Sequence, residues 1–280
     1  MLKNATVAGD VNVFAGKGGD TITLTGDTIR DATILTGSGT DSVALTNVTL
    51  QAAPLVPSVP ALSFLTYGAT LNINTGGGSN DAIALNSVTG TSSLIGGWWS
   101  ISTGVLGSGT VTLNSVTNPG VTVITGNTIT AAGSSFGAVT VAVAVGTGQH
   151  SVQVNTSTFN GPAVLVAAGG PSPLISVDNS TFKSAAVVVA AGDNSQIKVQ
   201  TASAGGSGTV FQGPVVGVVA GASGTVSLGN SNATGKLAFQ GPIIFVGDPA
   251  TNDTTIDIAT GVTTLDNNKL FLIFAKRKNA

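Results

Sequence analysis

The chain has no cysteine and no glutamate, and it carries one histidine, one methionine, one tyrosine and two tryptophans in 280 residues. Without cysteine there can be no disulfide, no thiolate nucleophile and no cysteine metal site, although secretion stays open. Only 8% of residues are charged, against about a quarter in ordinary domains. The scarcity of Glu, Lys, Arg and Met removes the best helix formers. The net charge of −2 and the scattered lysines exclude the basic face that a nucleic-acid partner needs. Lys276-Arg277-Lys278 follows the apolar run Leu270 to Phe274 and reads as a solvated end. No stretch is long and apolar enough to serve as a transmembrane segment. No apolar segment follows Met1-Leu2-Lys3-Asn4, so no signal peptide is visible, and the expectation is a piece of a longer precursor or another export route.

Hydrophobic residues nevertheless make up 42% of the chain, with 39 glycines and abundant Thr, Ser, Asn, Val and Ala. That apolar content excludes disorder, and β-branched residues between turn formers indicate an all-β protein.

Internal repetition defines the architecture. Phenylalanine recurs before a short aliphatic strand at Phe136, Phe159, Phe182, Phe211 and Phe239, with spacings of 23, 23, 29 and 28 residues. Ile29, Leu50, Val88 and Val116 take the same place upstream, and Leu265 does so downstream. A Val/Ile strand follows each anchor. After a Gly-rich turn comes a second strand ending in Leu, Val or Ile, for example Leu24, Leu45, Leu85, Leu113, Val154, Val177, Val199, Leu228 and Ile258. A polar corner such as Asn86-Ser87 or Asn155-Thr156 leads to the next anchor. Three strands in 20–30 residues cannot bury an apolar face alone, but stacked at about 4.8 Å they enclose a continuous core. The expectation is a single right-handed parallel β-helix (β-solenoid) over residues 1–280, of about ten turns, with the phenylalanines stacked inside; its hand follows from the crossover rule.

Two insertions interrupt the coil, near 51–68 and 91–104. The first is proline-rich and apolar; the second contains Leu94-Ile95-Gly96-Gly97-Trp98-Trp99. Gln200 to Gly208 and Gly229 to Gly235 lengthen a third corner. Tyr67, Trp98 and Trp99 all fall in or beside the first two insertions. They are the candidate contact residues for a glycan or a neighbouring protein, against the alternative that they pack onto the rod.

Gly16-Lys17-Gly18-Gly19-Asp20, Gly37-Ser38-Gly39-Thr40-Asp41 and Gly77-Gly78-Ser79-Asn80-Asp81 each precede a strand. These turns resemble the calcium-binding nonapeptide of repeats-in-toxin proteins, but occur once per turn rather than in tandem. Stacking places Asp20, Asp41 and Asp81 in one column, where turn amides or a calcium ion would offset the like charges; the turn amides are the favoured reading, and no other cofactor is expected. Later turns put Gly109, His150, Pro173, Ser195, Gly224 and Thr254 at that place. Glycoside hydrolysis needs gathered carboxylates. The candidates are Asp27 and Asp31 near Arg30, or Asp248 with Asp253; neighbouring turns repeat neither, and no catalytic residue is assigned. Thr21/Thr23 and Thr110/Thr112 are similar to ice-binding solenoids, but the intervening turns break the ladder. Asn-x-Ser/Thr triplets at Asn4, Asn47, Asn155, Asn179, Asn232 and Asn252 suit turns as well as glycosylation.

The once-per-turn Gly-x-Gly-x-Asp-x-Val-x-Leu and Asn-Ser-Val-Thr pattern resembles the β-strand repeats of very large secreted proteins of planctomycetes and related bacteria. The resemblance implies an extracellular or cell-surface location. The leading expectation is a structural filament or surface-layer protein that self-associates through the ends or faces of the solenoid. An adhesin binding glycan through the aromatic loops comes second, and a carbohydrate-active β-helix enzyme third.

Overall fold

Consecutive strands run parallel and in register in a computed structural model that describes residues 1–54, 66–91, 97–104, 108–146, 148–201, 206–230, 236–250, 253–259, 263–264, 270–273 and 275–278. Three parallel sheets form a β-solenoid. Sheet I has 12 strands, from Leu2–Lys3 to Ala275–Lys278; sheet II has 11 short strands, from Thr6–Val7 to Thr263–Thr264; sheet III has 11, from Val11–Phe14 to Leu270–Ile273. Each turn visits I, II and III in order. This makes eleven turns, about 50 Å of rod at the parallel-strand spacing.

One turn escaped the anchor count, the first, built on Val7, which pairs with Ile29. The connection that leads to Phe136 is unusually short: Val121–Gly126 of sheet III passes through Asn127 directly into Thr128–Ala132 of sheet I. That sheet I strand presents Ala131 to the core, so no large aliphatic residue marked it.

The five phenylalanines are buried and stacked, with centroid separations of 5.2, 4.5, 4.6 and 5.1 Å and interplanar angles of 27° or less. The register corrects the anchors upstream. Leu50 pairs with Gly90, and Asn118 pairs with Phe136, so Val88 and Val116 lie two residues short of the ladder. Gly90 leaves room for a neighbouring ring. A Cβ there would lie 3.0 Å from Cζ2 of Trp99, whose indole is 1% exposed and fills the vacated space. Asn118 is buried; its amide donates to the Val121 carbonyl (3.0 Å) and Thr122 Oγ1 (2.9 Å) and accepts from Gly120 N (3.0 Å). Leu265 lies outside the described residues.

The residues two before the phenylalanines form a second buried column. Ser134, Ser157, Ser180 and Thr209 accept, through their hydroxyls, the backbone N–H of Val116, Ser134, Ser157 and Ser180 one turn earlier, at 3.1–3.4 Å. The serines donate in turn to carbonyls of the preceding corner. At that corner one residue per turn adopts the left-handed conformation. Asn takes it at Asn4, Asn47 and Asn179. In Asn86-Ser87, Asn114-Ser115 and Asn155-Thr156, however, the Ser or Thr turns left-handed (φ 53, 54 and 49°), while the Asn ends the strand.

The first insertion leaves the coil between sheets II and III, where Ala53–Pro54 and Thr66–Tyr67 pair antiparallel; residues 55–65 lie outside the described set. In the second, Trp98–Ser102 proves to be an ordinary sheet III strand paired with Leu71–Asn74 and Val121–Gly126. The added length lies elsewhere, and Leu94 and Ile95 are outside the described residues.

In Phe182→Ala a ring stacked on both sides is lost. This substitution should destabilise the protein by about 3–5 kcal/mol, read as a lowered denaturation midpoint.

Candidate functional site

The aspartate column stacks as expected, since Thr21, Ser42 and Ala82, the next residues along, pair in register. Its carboxylates bond the turns. Asp41 Oδ1 accepts from Asp20 N (2.8 Å) and Asp81 Oδ1 from Asp41 N (2.9 Å). Asp41 Oδ2 accepts the hydroxyl of Thr36 (2.7 Å); Asp81 Oδ2 accepts that of Thr75 (2.8 Å) and Gly78 N (3.1 Å). Each Thr ends sheet III and each Asp begins sheet I, so the pair ties the corner shut, and Asp41, Asp81, Thr36 and Thr75 are buried. One turn on, Gly109 replaces the aspartate and Thr103 Oγ1 is buried without a partner, as is Asp20 Oδ2. Among the described residues no group of three His, Asp or Glu could hold a metal ion.

The column continues through Asn127, in the short turn, to His150. His150 is fully buried, with Nδ1 3.1 Å from the Asn127 amide nitrogen. Nε2 lies under the Gly169-Gly170 backbone and has no partner. Burial lowers its pKa below the ordinary 6.5.

The candidate acids are also occupied. Asp27 is buried and accepts Ala5 N and Thr25 N, both at 2.8 Å. Asp31 faces Arg30 (3.3 Å) and accepts Thr70 N (2.6 Å), and Arg30 also pairs with Asp10. Asp248 accepts Gly221 N and Ala250 N; Asp253 accepts Ser223 N. Asp27 and Asp31 serve backbone amides at different corners, whereas Asp248 and Asp253 share one corner and accept amides two residues apart, Gly221 N and Ser223 N.

The three aromatic candidates separate. Trp99 points inward and is part of the core, while Trp98, on the same strand, is 54% exposed. Tyr67 lies on the preceding turn, two residues before Ala69, whose carbonyl is so near Gly97 that a Cβ there would lie 2.4 Å away. The structure thus brings Trp98 and the Tyr67 strand to adjacent turns at one corner and removes Trp99 from any contact surface. Alternation along Trp98–Ser102 would have revealed this, because adjacent strand residues face opposite sides.

The outer face of sheet I is polar or small except at Leu174, with Thr110/Thr112 and Thr128/Thr130 paired on adjacent turns and Ser151/Gln153 beyond them. Sheet III differs. From its fifth turn its outward residues are aliphatic, a feature the sequence reading took for ordinary strand composition.

No protein-family model, curated protein or solved structure matches the chain. Among the described residues no helix is long and apolar enough to cross a membrane.

Two predictions test the column. Asp41→Ala strands the Asp20 amide and the Thr36 hydroxyl; it should cost about 1–3 kcal/mol in denaturant titration, with the wild-type midpoint unchanged by calcium or chelator. For His150, a folded pKa below the unfolded value means that the unfolded chain binds more protons in acid. Its stabilising contribution is whole above about 6.5 and is lost as pH falls through the lower folded pKa. The decline in melting temperature from pH 7.5 to 5 should therefore be smaller in His150→Asn.

Proposed function

We propose that this is a structural extracellular protein, a subunit or segment of a surface filament or surface layer that associates with itself through its solenoid. The observation that supports this reading is the register. Three parallel sheets run through eleven turns without a slip, giving long continuous faces. Side chains with catalytic chemistry are engaged in holding corners. Low charge favours close approach of copies, since a net −2 on 280 residues generates little mutual repulsion. The extracellular placement rests on the repeat's resemblance to large secreted surface proteins.

A second reading, an adhesin that binds glycan, is favoured by one observation: Trp98 is 54% exposed at the corner where the first insertion leaves the coil. An exposed indole suits stacking on a sugar ring or anchoring a protein contact.

Negative-stain electron microscopy of the purified chain over a concentration series, with and without calcium, separates these. Regular filaments or sheets are expected at high concentration. Monodisperse short rods throughout would overturn the assembly reading and leave the adhesin, to be screened against glycans.

A further inference from the structure

The outward face of sheet III changes character along the rod. In the first four turns it is mixed: Asn12, Thr33, Asn72, Asn74, Ser100 and Ser102 face out, interspersed with Phe14, Leu35 and Trp98. From the fifth turn apolar residues take over. Ala163–Ala168 and Ala186–Ala191 are apolar on both faces, with Val164, Val166, Val187 and Val189 pointing outward and partly exposed. The register joins these into two ladders. One runs from Val123 through Val141 and Val216 to Phe271; the other runs from Val143 through Val218 to Ile273. At the rod's end Phe271 is 53% and Ile273 44% exposed. Continuous apolar strands of this kind belong to parallel sheets covered on both faces. Apart from Leu174, sheet I keeps polar or small residues at its outward positions on the same turns, including Gln153, Gln196 and Lys198, so a continuous apolar ladder belongs to one face.

We infer that this valine face of sheet III is an interface that packs against the same face of a second copy. The inference rests on the self-association reading above and assigns it a surface. Seven rungs about 4.8 Å apart, each with two or three outward positions about 6.7 Å apart, give roughly 600 Å² per copy. A pair would bury about 1,200 Å², at the lower edge of the 1,200–2,000 Å² range of stable specific interfaces, and the patch lies at the upper end of the roughly 300–600 Å² that the largest apolar patch of a typical monomer covers. Among the described residues the two ladders carry no charged side chain, so they hold nothing to pair with a charged partner. The shape also selects the occupant. A flat lattice of β-branched ridges is best matched by another lattice of the same pitch, as in sheets packed face to face about 10 Å apart. A face that matches itself gives a two-fold pair, which contacts at the rods' ends would extend into a filament.

Because the chain has no cysteine, single substitutions report the contact cleanly. Val164→Cys, Val187→Cys and Val216→Cys, which nearly preserve volume, should each be tested under mild oxidation, with Thr130→Cys on the outer face of sheet I as control. At least one valine variant is expected to form a disulfide dimer, and the control is not. In sedimentation velocity the wild type should dimerise, and Val166→Lys/Val189→Lys should weaken association at least about tenfold while Thr130→Lys does not. If the lysine variant misfolds by circular dichroism, the cysteine series decides alone. Filaments that persist while only Thr130→Cys cross-links would overturn the face assignment and leave self-association standing. A monomer at every concentration would overturn both. A monomer that instead sediments with phospholipid vesicles would assign the face to a lipid surface and overturn the paired copy.

Discussion

Among the described residues, the side chains of the stacked strands stand directly between their counterparts on the turns above and below, because parallel in-register pairing stacks like positions about 4.8 Å apart. Each position must therefore tolerate repetition. Benzene rings do so by offset stacking, at 4.5–5.2 Å here. Hydroxyls do so by accepting an amide from one turn and donating within their own. Valines do so by nesting their branches. Like charges do not, which accounts for a chain with 8% charged residues whose carboxylates are spent on backbone N–H groups.

Where the repeat fails, a neighbour compensates through volume or hydrogen bonding. Gly90 interrupts the anchor ladder and the Trp99 indole enters from sheet III. Gly217 leaves space for the ring of Phe245 on the next turn, which a Cβ would meet at 2.3 Å. Asn118, alone in a ladder of apolar residues, satisfies its amide inside the adjoining corner. The Thr–Asp tie shows the same dependence in reverse: when Asp gives way to Gly109, Thr103 keeps its buried hydroxyl but loses its acceptor. These substitutions are coupled across sheets rather than along the chain.

The corners carry the polar chemistry of the molecule and the faces carry its surface character. This division favours a structural reading over a catalytic one, since groups engaged in closing a turn are not free to act on a substrate. It also concentrates the functional question on the outside of sheet III and on Trp98, the places where apolar surface lies open.

Much of the fold was legible in the residues themselves. The Phe spacing, the left-handed corner residues and the recurring Gly-Asp turns specify stacked parallel strands, because strand period and turn chemistry are local properties. The column of Asp20, Asp41 and Asp81 was legible for the same reason. The short turn through Asn127, the true anchors Gly90 and Asn118, and the inward orientation of Trp99 were not, since each depends on register between strands 18 to 40 residues apart. Only the tertiary structure decided which half of each continuous Val/Ala strand faces outward. In Ala163–Ala168 both faces are wholly apolar, and burial alone distinguishes core from surface.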